Sequence, residues 1–312
     1  MTDAPTGDAL VTAGAPAPGV RLRARRATSL WQPSTNVHGS LARARRLLAG
    51  RLTVVLTGAG MSTASGVPDY RGPDSIRAIP IPYHEFVSDP LTRRRYWARN
   101  YQGWARLDRA VPNEAHHALT RWEHQDTIGP MLGVISQNVD GLHEASGSRR
   151  LIALHGRSAD VLCLGCGRII ARRALQVRMA ELNPAVRMNA DLGPAELRPD
   201  ADAEVEDWRG FTVPDCPWCG GLLKPDVVFF GEPVPKARVA SAFAWCDAAE
   251  AMLVAGSSLT VMSGLRFVRA MARAGKPVVI INHGATRADE LAAVRLDESL
   301  VQALPRLLAR PA

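Results

Sequence analysis

The chain has 312 residues, 46% of them apolar, and a formal charge of +8, which excludes a small stapled scaffold and provides for one large domain with an accessory one. The charge is almost wholly arginine, with Lys224, Lys236 and Lys276 the only lysines, and no basic cluster is interleaved with aromatics, so a nucleic-acid partner is disfavoured. No apolar run reaches membrane length and no export signal opens the chain, so the expectation is a soluble cytoplasmic protein without a membrane partner.

Residues 1–35 are rich in Ala, Pro, Gly and Thr and read as a mobile leader ending in Arg21, Arg23, Arg25 and Arg26. LARARRLLAG, from Leu41, predicts a short helix stopped by Gly50. Buried-type strands are expected at 52–57, 131–136, 151–155, 227–230, 251–255 and 277–281, with helices at 113–124 and 263–274. That alternation predicts an α/β fold, a Rossmann-like parallel sheet covered on both faces. Chemistry then belongs at the carboxyl ends of the strands. Two segments interrupt the pattern. Residues 64–112, with many prolines and aromatics, read as a mostly helical insertion over the sheet edge. Residues 157–222 hold four paired cysteines and read as a small zinc-ribbon domain, leaving 36–156 and 223–312 for the large Rossmann-like domain.

Cys163, Cys166, Cys216 and Cys219 form two Cys-x-x-Cys knuckles. Two intervening residues let both thiolates of a knuckle face one ion, and two knuckles complete a tetrahedron. Four thiolates leave no open position, so the ion expected is one structural Zn2+. Cys246 has no partner at useful spacing and reads as a core thiol.

After the first strand, Gly58-Ala59-Gly60 lets the backbone approach a phosphate. Thr63 stands where a third glycine would complete a dinucleotide fingerprint, and no acidic residue ends a second strand about 20 residues on, so hydride transfer is disfavoured. Other loops converge on the same edge. Gln137, Asn138 and Asp140 offer partners for ribose hydroxyls or an amide, while Gly256-Ser257-Ser258 and Asn282-His283-Gly284 add backbone amides and short polar side chains.

GAGMSTASGVPDYRG, QNVDGLH, LHG, the paired cysteines, GSS and INHG stand in the order found in the sirtuins, NAD-dependent protein-lysine deacylases, which the chain resembles from about residue 38 onward. RRRYWARNYQGW, PNEAHHALTRWE, GSRRLIALHG and LKPDVVFFGE most resemble class II, the lipoamidase-type group. The resemblance implies NAD and an acyl-lysine peptide or protein meeting between a large and a small domain. It assigns Gly58, Ala59, Gly60, Thr63, Asp69, Tyr70 and Arg71 to the NAD loop. Gln137, Asn138 and Asp140 are assigned to the ribose and nicotinamide pocket, Gly256, Ser257 and Ser258 to the adenosine side. Asn282, His283 and Gly284 fall to the adenine ribose, and Leu300 near adenine. His155 matches the catalytic base, with Asn138 and Asp140 beside it.

The substrate side implied is Val227, Phe229, Phe230, Gly231 and Glu232. Sirtuins that remove acidic acyl groups carry Tyr-x-x-Arg, a spacing that Tyr96 and Arg99 reproduce, so acidic or longer acyl chains are expected. The acyl group is to pass to ADP-ribose with release of nicotinamide. A near-neutral His155, with a reference pKa of about 6.5, can take the ribose hydroxyl proton. Mono-ADP-ribosyl transfer to protein and a non-catalytic NAD or ADP-ribose sensor remain as alternatives, and no residue pattern specifies an oligomeric state.

Overall fold

Strand β1 (Thr53–Thr57) reads TVVLT with every residue buried, as a parallel strand covered on both faces requires. Strands β2 (Met131–Ser136) and β3 (Leu151–Ala153) follow on one side of it. The chain then leaves for a small antiparallel sheet of β4 (Gly156–Cys163), β5 (Ile169–Ala171) and β6 (Leu223–Val227). It returns for β7 (Ala251–Ala255), β8 (Val278–Ile281) and β9 (Val294–Leu296). The orders are β3-β2-β1-β7-β8-β9 and β5-β4-β6. The first is a doubly wound parallel sheet whose strand order reverses between β1 and β7, where such sheets open a crevice beyond the strand ends. The computed structural model describes residues 31–73, 75, 80–186 and 208–310. The expected leader through residue 30, with its four arginines, and the middle of the segment between the cysteine pairs lie outside the described residues.

The helices are α1 (Leu41–Leu48), α2 (Tyr83–Ser88), α3 (Pro90–Leu107), α4 (Glu114–Gln125), α5 (Leu142–Ala145), α6 (Arg172–Leu182), α7 (Lys236–Ala248), α8 (Met262–Arg273) and α9 (Leu300–Leu308). Alternate sheet residues feed two cores. Val55, Leu253 and Val279 meet Trp122 of α4 and Leu304 of α9, while Val54, Met252 and Ile280 meet Cys246 of α7 and Phe267 of α8. In α9, Leu300, Ala303, Leu304, Leu307 and Leu308 are buried, the spacing of one apolar helix face. Each large aliphatic so buried stabilises by about 1.5–3 kcal/mol.

Four expectations need correction. The strand expected at 227–230 is displaced: β6 ends at Val227, and Phe230 makes only an isolated bridge to Pro82. Strand β9 went unrecognised because Arg295 stands in its middle, fully buried against Asp289 at 2.7 Å. The insertion does not lie over the edge of the large sheet. Phe86, Tyr96, Trp97 and Tyr101 pack instead with Val161, Leu175, Phe211 and Leu223 of the small-sheet lobe, and Arg172 of α6, buried over Trp97 and Trp104, bonds Asn100. Residues 31–35, the end of the expected leader, run with 36–38 against the β9 side of the sheet, where His38 and Arg295 exchange backbone hydrogen bonds of 3.0 and 2.9 Å.

Behind the ends of β1 and β2 lie two buried imidazoles, His116 and His143, with ring centroids 5.0 Å apart. His116 closes the capping box of α4 with Asn113, and His143 Nε2 pairs with Thr57 Oγ1 at 2.9 Å. Burial pushes His116 down to about 4 and His143 down to about 3. In the unfolded chain both protonate near 6.5, so the folded state binds fewer protons below that value. Their contribution to stability is therefore complete above about pH 6.5 and is lost as the pH falls through the folded values. Thermal melts should show Tm dropping between about pH 6.5 and pH 4, with a shallower drop in His143→Gln.

Candidate active site

The carboxyl ends of the large-sheet strands open into a cleft of ≈ 1320 Å³, above the ~300–1,000 Å³ of small-molecule pockets and roomy enough for a long ligand. Every sequence-predicted site residue lines it except Arg99, Gly284 and the four cysteines. At the β1/β7 switch point two glycine turns press together. A Cβ at Gly58 would meet Ser257 at 2.7 Å, and one at Gly256 would meet the Met61 amide nitrogen at 2.5 Å. These glycines are needed for loop-on-loop contact as well as for ligand approach. After them come 3-10 turns, Ala59–Met61 and Thr63–Ser65, where an ordinary dinucleotide fold has a helix. Asp69 caps its own turn, accepting from the Gly72 amide at 2.7 Å, and Tyr70 and Arg71 stand at the cleft wall beside it.

Gln137 joins three strands. Its backbone N–H and side-chain amide donate to Thr57 O (3.0 and 3.2 Å), the amide also reaches Ser257 Oγ at 2.8 Å, and its carbonyl accepts from His155 Nδ1 at 2.8 Å. A carbonyl partner requires a proton on Nδ1, so in the neutral ring the lone pair is on Nε2. That atom faces the Ser263 hydroxyl at 2.9 Å. Burial lowers the His155 pKa, and the guanidinium groups of Arg238 and Arg266 lower it further against the opposing hydrogen bond to Gln137. Gly156, next in the chain, has φ +86, and a Cβ there would lie 1.8 Å from Asp226 O, so the turn that aims His155 admits only glycine.

Beside His155, Ser62 ties the two other predicted polar residues together. Asn138 Nδ2 donates to Ser62 Oγ at 2.9 Å, and the hydroxyl donates to Asp140 Oδ2 at 2.6 Å. Burial raises the Asp140 pKa, opposed by its bonds from Ser62 and the Leu142 amide. Ser62 falls inside GAGMSTASGVPDYRG without a spacing signal of its own, and Ser263 carries no sequence signal beyond opening a helix.

On the substrate side Tyr96, Val227, Phe229, Phe230 and Gly231 line the cleft, but Arg99 does not. Arg99 follows Tyr96 by three residues in α3, a spacing that makes the two neighbours on one helix face. Glu232 is a brace. Its Oε2 accepts from Phe229 N at 2.9 Å and Lys224 Nζ at 3.1 Å, and Lys224 also donates to Val227 O at 2.6 Å.

The sulfurs of Cys163, Cys166, Cys216 and Cys219 lie within 4.8 Å of one another, with contacts of 3.5 and 3.9 Å. A tetrahedron of Zn–S bonds of about 2.3 Å has edges of about 3.8 Å. Amides of Cys166 and Gly221 point at two of the sulfurs, and a Cβ at Gly221 would sit 3.1 Å from two of them. The set fits zinc, and no carboxylate or imidazole joins it among the described residues.

A model of the Sir2 family matches residues 58–263. The NAD-dependent protein deacetylase 1 of Mycobacterium avium is 50% identical over 252 residues, 80% of this chain and 88% of that protein. The NAD-dependent protein deacetylase of Xanthomonas axonopodis pv. citri is 49% identical over 261 residues, 82% of this chain and 87% of its own. Among solved structures, one of Sir2 with a p53 peptide and NAD+ has TM-score 0.68 and 30% identity, covering 86% of this chain and 97% of that chain. One of Sir2 bound to acetylated peptide has TM-score 0.67 and 28% identity with the same coverage.

Elemental analysis of the purified chain should return one zinc per molecule. Cys216→Ser, or removal by chelator, should lower Tm by at least about 5 °C, because binding energy at such a site is folding energy. Hydrogen exchange should quicken in β4–β6 before it quickens in the parallel sheet.

Proposed function

The chain belongs to the Sir2 family, and on that premise we propose that it is an NAD-dependent protein-lysine deacylase. The observation that carries the reading is His155, with Nδ1 fixed by Gln137 O and its Nε2 lone pair turned to Ser263 in the cleft wall. Bound NAD supplies a sugar carbon made electrophilic by a cationic leaving group. The protein's part is to orient, exclude water and move one proton. Gly58, Gly60 and Gly256 form the close turns that a dinucleotide backbone passes. Asn138 and Asp140, held in register by Ser62, present an amide and a carboxyl group to the reacting end. His155 takes up a proton at Nε2, which requires the ligand to displace the Ser263 hydroxyl from that lone pair.

The acyl-lysine enters between the brace of Lys224 and Glu232 and the aromatic wall of Tyr96 and Phe229. We assign the chain to class II on RRRYWARNYQGW, PNEAHHALTRWE, GSRRLIALHG and LKPDVVFFGE. Of the two acyl preferences expected from sequence, the acidic one rests on Arg99, the i+3 neighbour of Tyr96 on α3, and the longer one on the aromatic wall.

Nicotinamide release measured against a panel of acylated peptides tests the whole reading. His155→Tyr should cut turnover by about 10²–10⁴-fold, the size of a lost general base, while calorimetry still detects NAD binding. Since burial lowers the His155 pKa, the acid limb of the rate profile should lie below the ordinary histidine value of about 6.5. Arg99→Met should lower the ratio of acidic to aliphatic acyl turnover. A ratio that this substitution leaves unchanged would overturn the acidic-acyl assignment alone.

A further inference from the structure

The cleft has a direction. His155 follows β3 at one end of the sheet, whereas Asn282 and His283 follow β8, four strand positions away in the order β3-β2-β1-β7-β8-β9. At about 4.8 Å per strand that is roughly 19 Å. A dinucleotide whose reactive sugar sits at His155 must therefore carry its far end, the purine nucleoside, to the β8 side.

A segment outside the residues of the Sir2 match arrives at that side. Ser34 Oγ donates to Asp289 Oδ2 at 2.9 Å, Ala285 N donates to Gln32 O at 2.8 Å, and His38 Nε2 lies 3.0 Å from Ala292 O. Asp289 is itself held by the buried Arg295. These bonds set the Trp31 indole against the loop after β8, its ring centroid 5.4 Å from that of His283 and tilted by 37°. The loop is shaped to receive it: Gly284 has φ +84, and a Cβ there would lie 2.3 Å from Trp31 Nε1. Gly284, which does not line the cleft, thus makes room for a residue that does. His283 is anchored in turn, with Nδ1 2.9 Å from Asp297 Oδ1.

We propose that Trp31 is a cofactor-binding residue, its indole forming with His283 an aromatic wall on which the purine base of the dinucleotide stacks. The inference rests on the NAD reading above. A flat apolar face fixed by backbone bonds offers stacking at little cost in conformational entropy, and base–aromatic stacking is tolerant of exact register.

Calorimetry on the full chain with ADP-ribose, which carries the purine but no nicotinamide, tests it. Trp31→Ala should weaken ADP-ribose binding about 10-fold or more, with Trp31→Phe retaining most of the affinity. The difference in tryptophan emission between the wild type and Trp31→Phe should change on saturation with ADP-ribose. A folded Trp31→Ala with unaltered affinity overturns the proposal. Should that variant fail to fold, a Trp31 emission that ignores saturating ADP-ribose overturns it equally. If the wild type binds no ADP-ribose, the nucleotide reading falls first and takes this proposal with it, whereas a wild type that binds alongside an indifferent Trp31 leaves the NAD reading standing.

Discussion

The cleft depends on what Gln137 does with one backbone carbonyl and one side-chain amide. β1, β2 and β7 are tied to one another by sheet pairing, but sheet pairing stops where the loops begin. Beyond that point Gln137 continues the connection, joining the end of β1, the Ser257 turn after β7 and the ring of His155. Each such bond is worth only about 1 kcal/mol net, yet leaving a buried partner unmet costs about 1–3 kcal/mol. The arrangement is therefore held by the penalty for breaking it. It also constrains a distant helix: a Cβ at Gly264 would meet Gln137 Oε1 at 2.5 Å, so the first turn of α8 must be bare where it passes, and Ser263 beside it is delivered to His155. The glycine-bearing turn after β7, the ring of His155 and the hydroxyl facing it are consequently set by one residue rather than adjusted separately.

A second constraint acts on the segment that joins the two lobes. Residues 227–232 carry too few strand bonds to hold their shape, since Val228 donates to His155 O and Phe230 O accepts from Tyr83 N and little else pairs them. Lys224, almost fully buried, and Glu232 supply the rest, the ammonium lying over the Phe229 ring at 5.0 Å. Burial lowers the Lys224 pKa while Glu232 raises it. A pair so placed adds little net stability in general, but its oxygens and protons are spent on backbone groups of the very segment that lines the cleft beside Tyr96.

Much of this was readable from the residues. Aliphatic runs such as TVVLT and AMLVA located central strands because a strand buried on both faces has no polar alternation to confuse the reading. The knuckles gave the metal cluster because thiolate spacing is a local property. What escaped was whatever depended on charge hidden in the interior or on distant packing. Arg295 inside β9 and Lys-Pro-Asp inside β6 both disguised strands. The insertion could be recognised as helical but not placed, since its aromatics specify only that they are buried and not against which sheet. Ser263 and Trp31 reach the cleft through tertiary contacts that no spacing rule encodes.

The shared core of α2, α3 and the small sheet carries a consequence for how such a protein can diverge. Tyr96 and Phe229, which face the cleft, belong to one hydrophobic cluster with Cys163 and Cys216, although these residues come from three separated stretches of chain. Reshaping the recess at Tyr96 by piecemeal substitution perturbs the packing around the thiolates. New selectivity would come more readily by exchanging the lobe as one inherited block, residues 83–107 together with 156–232, than by editing its lining.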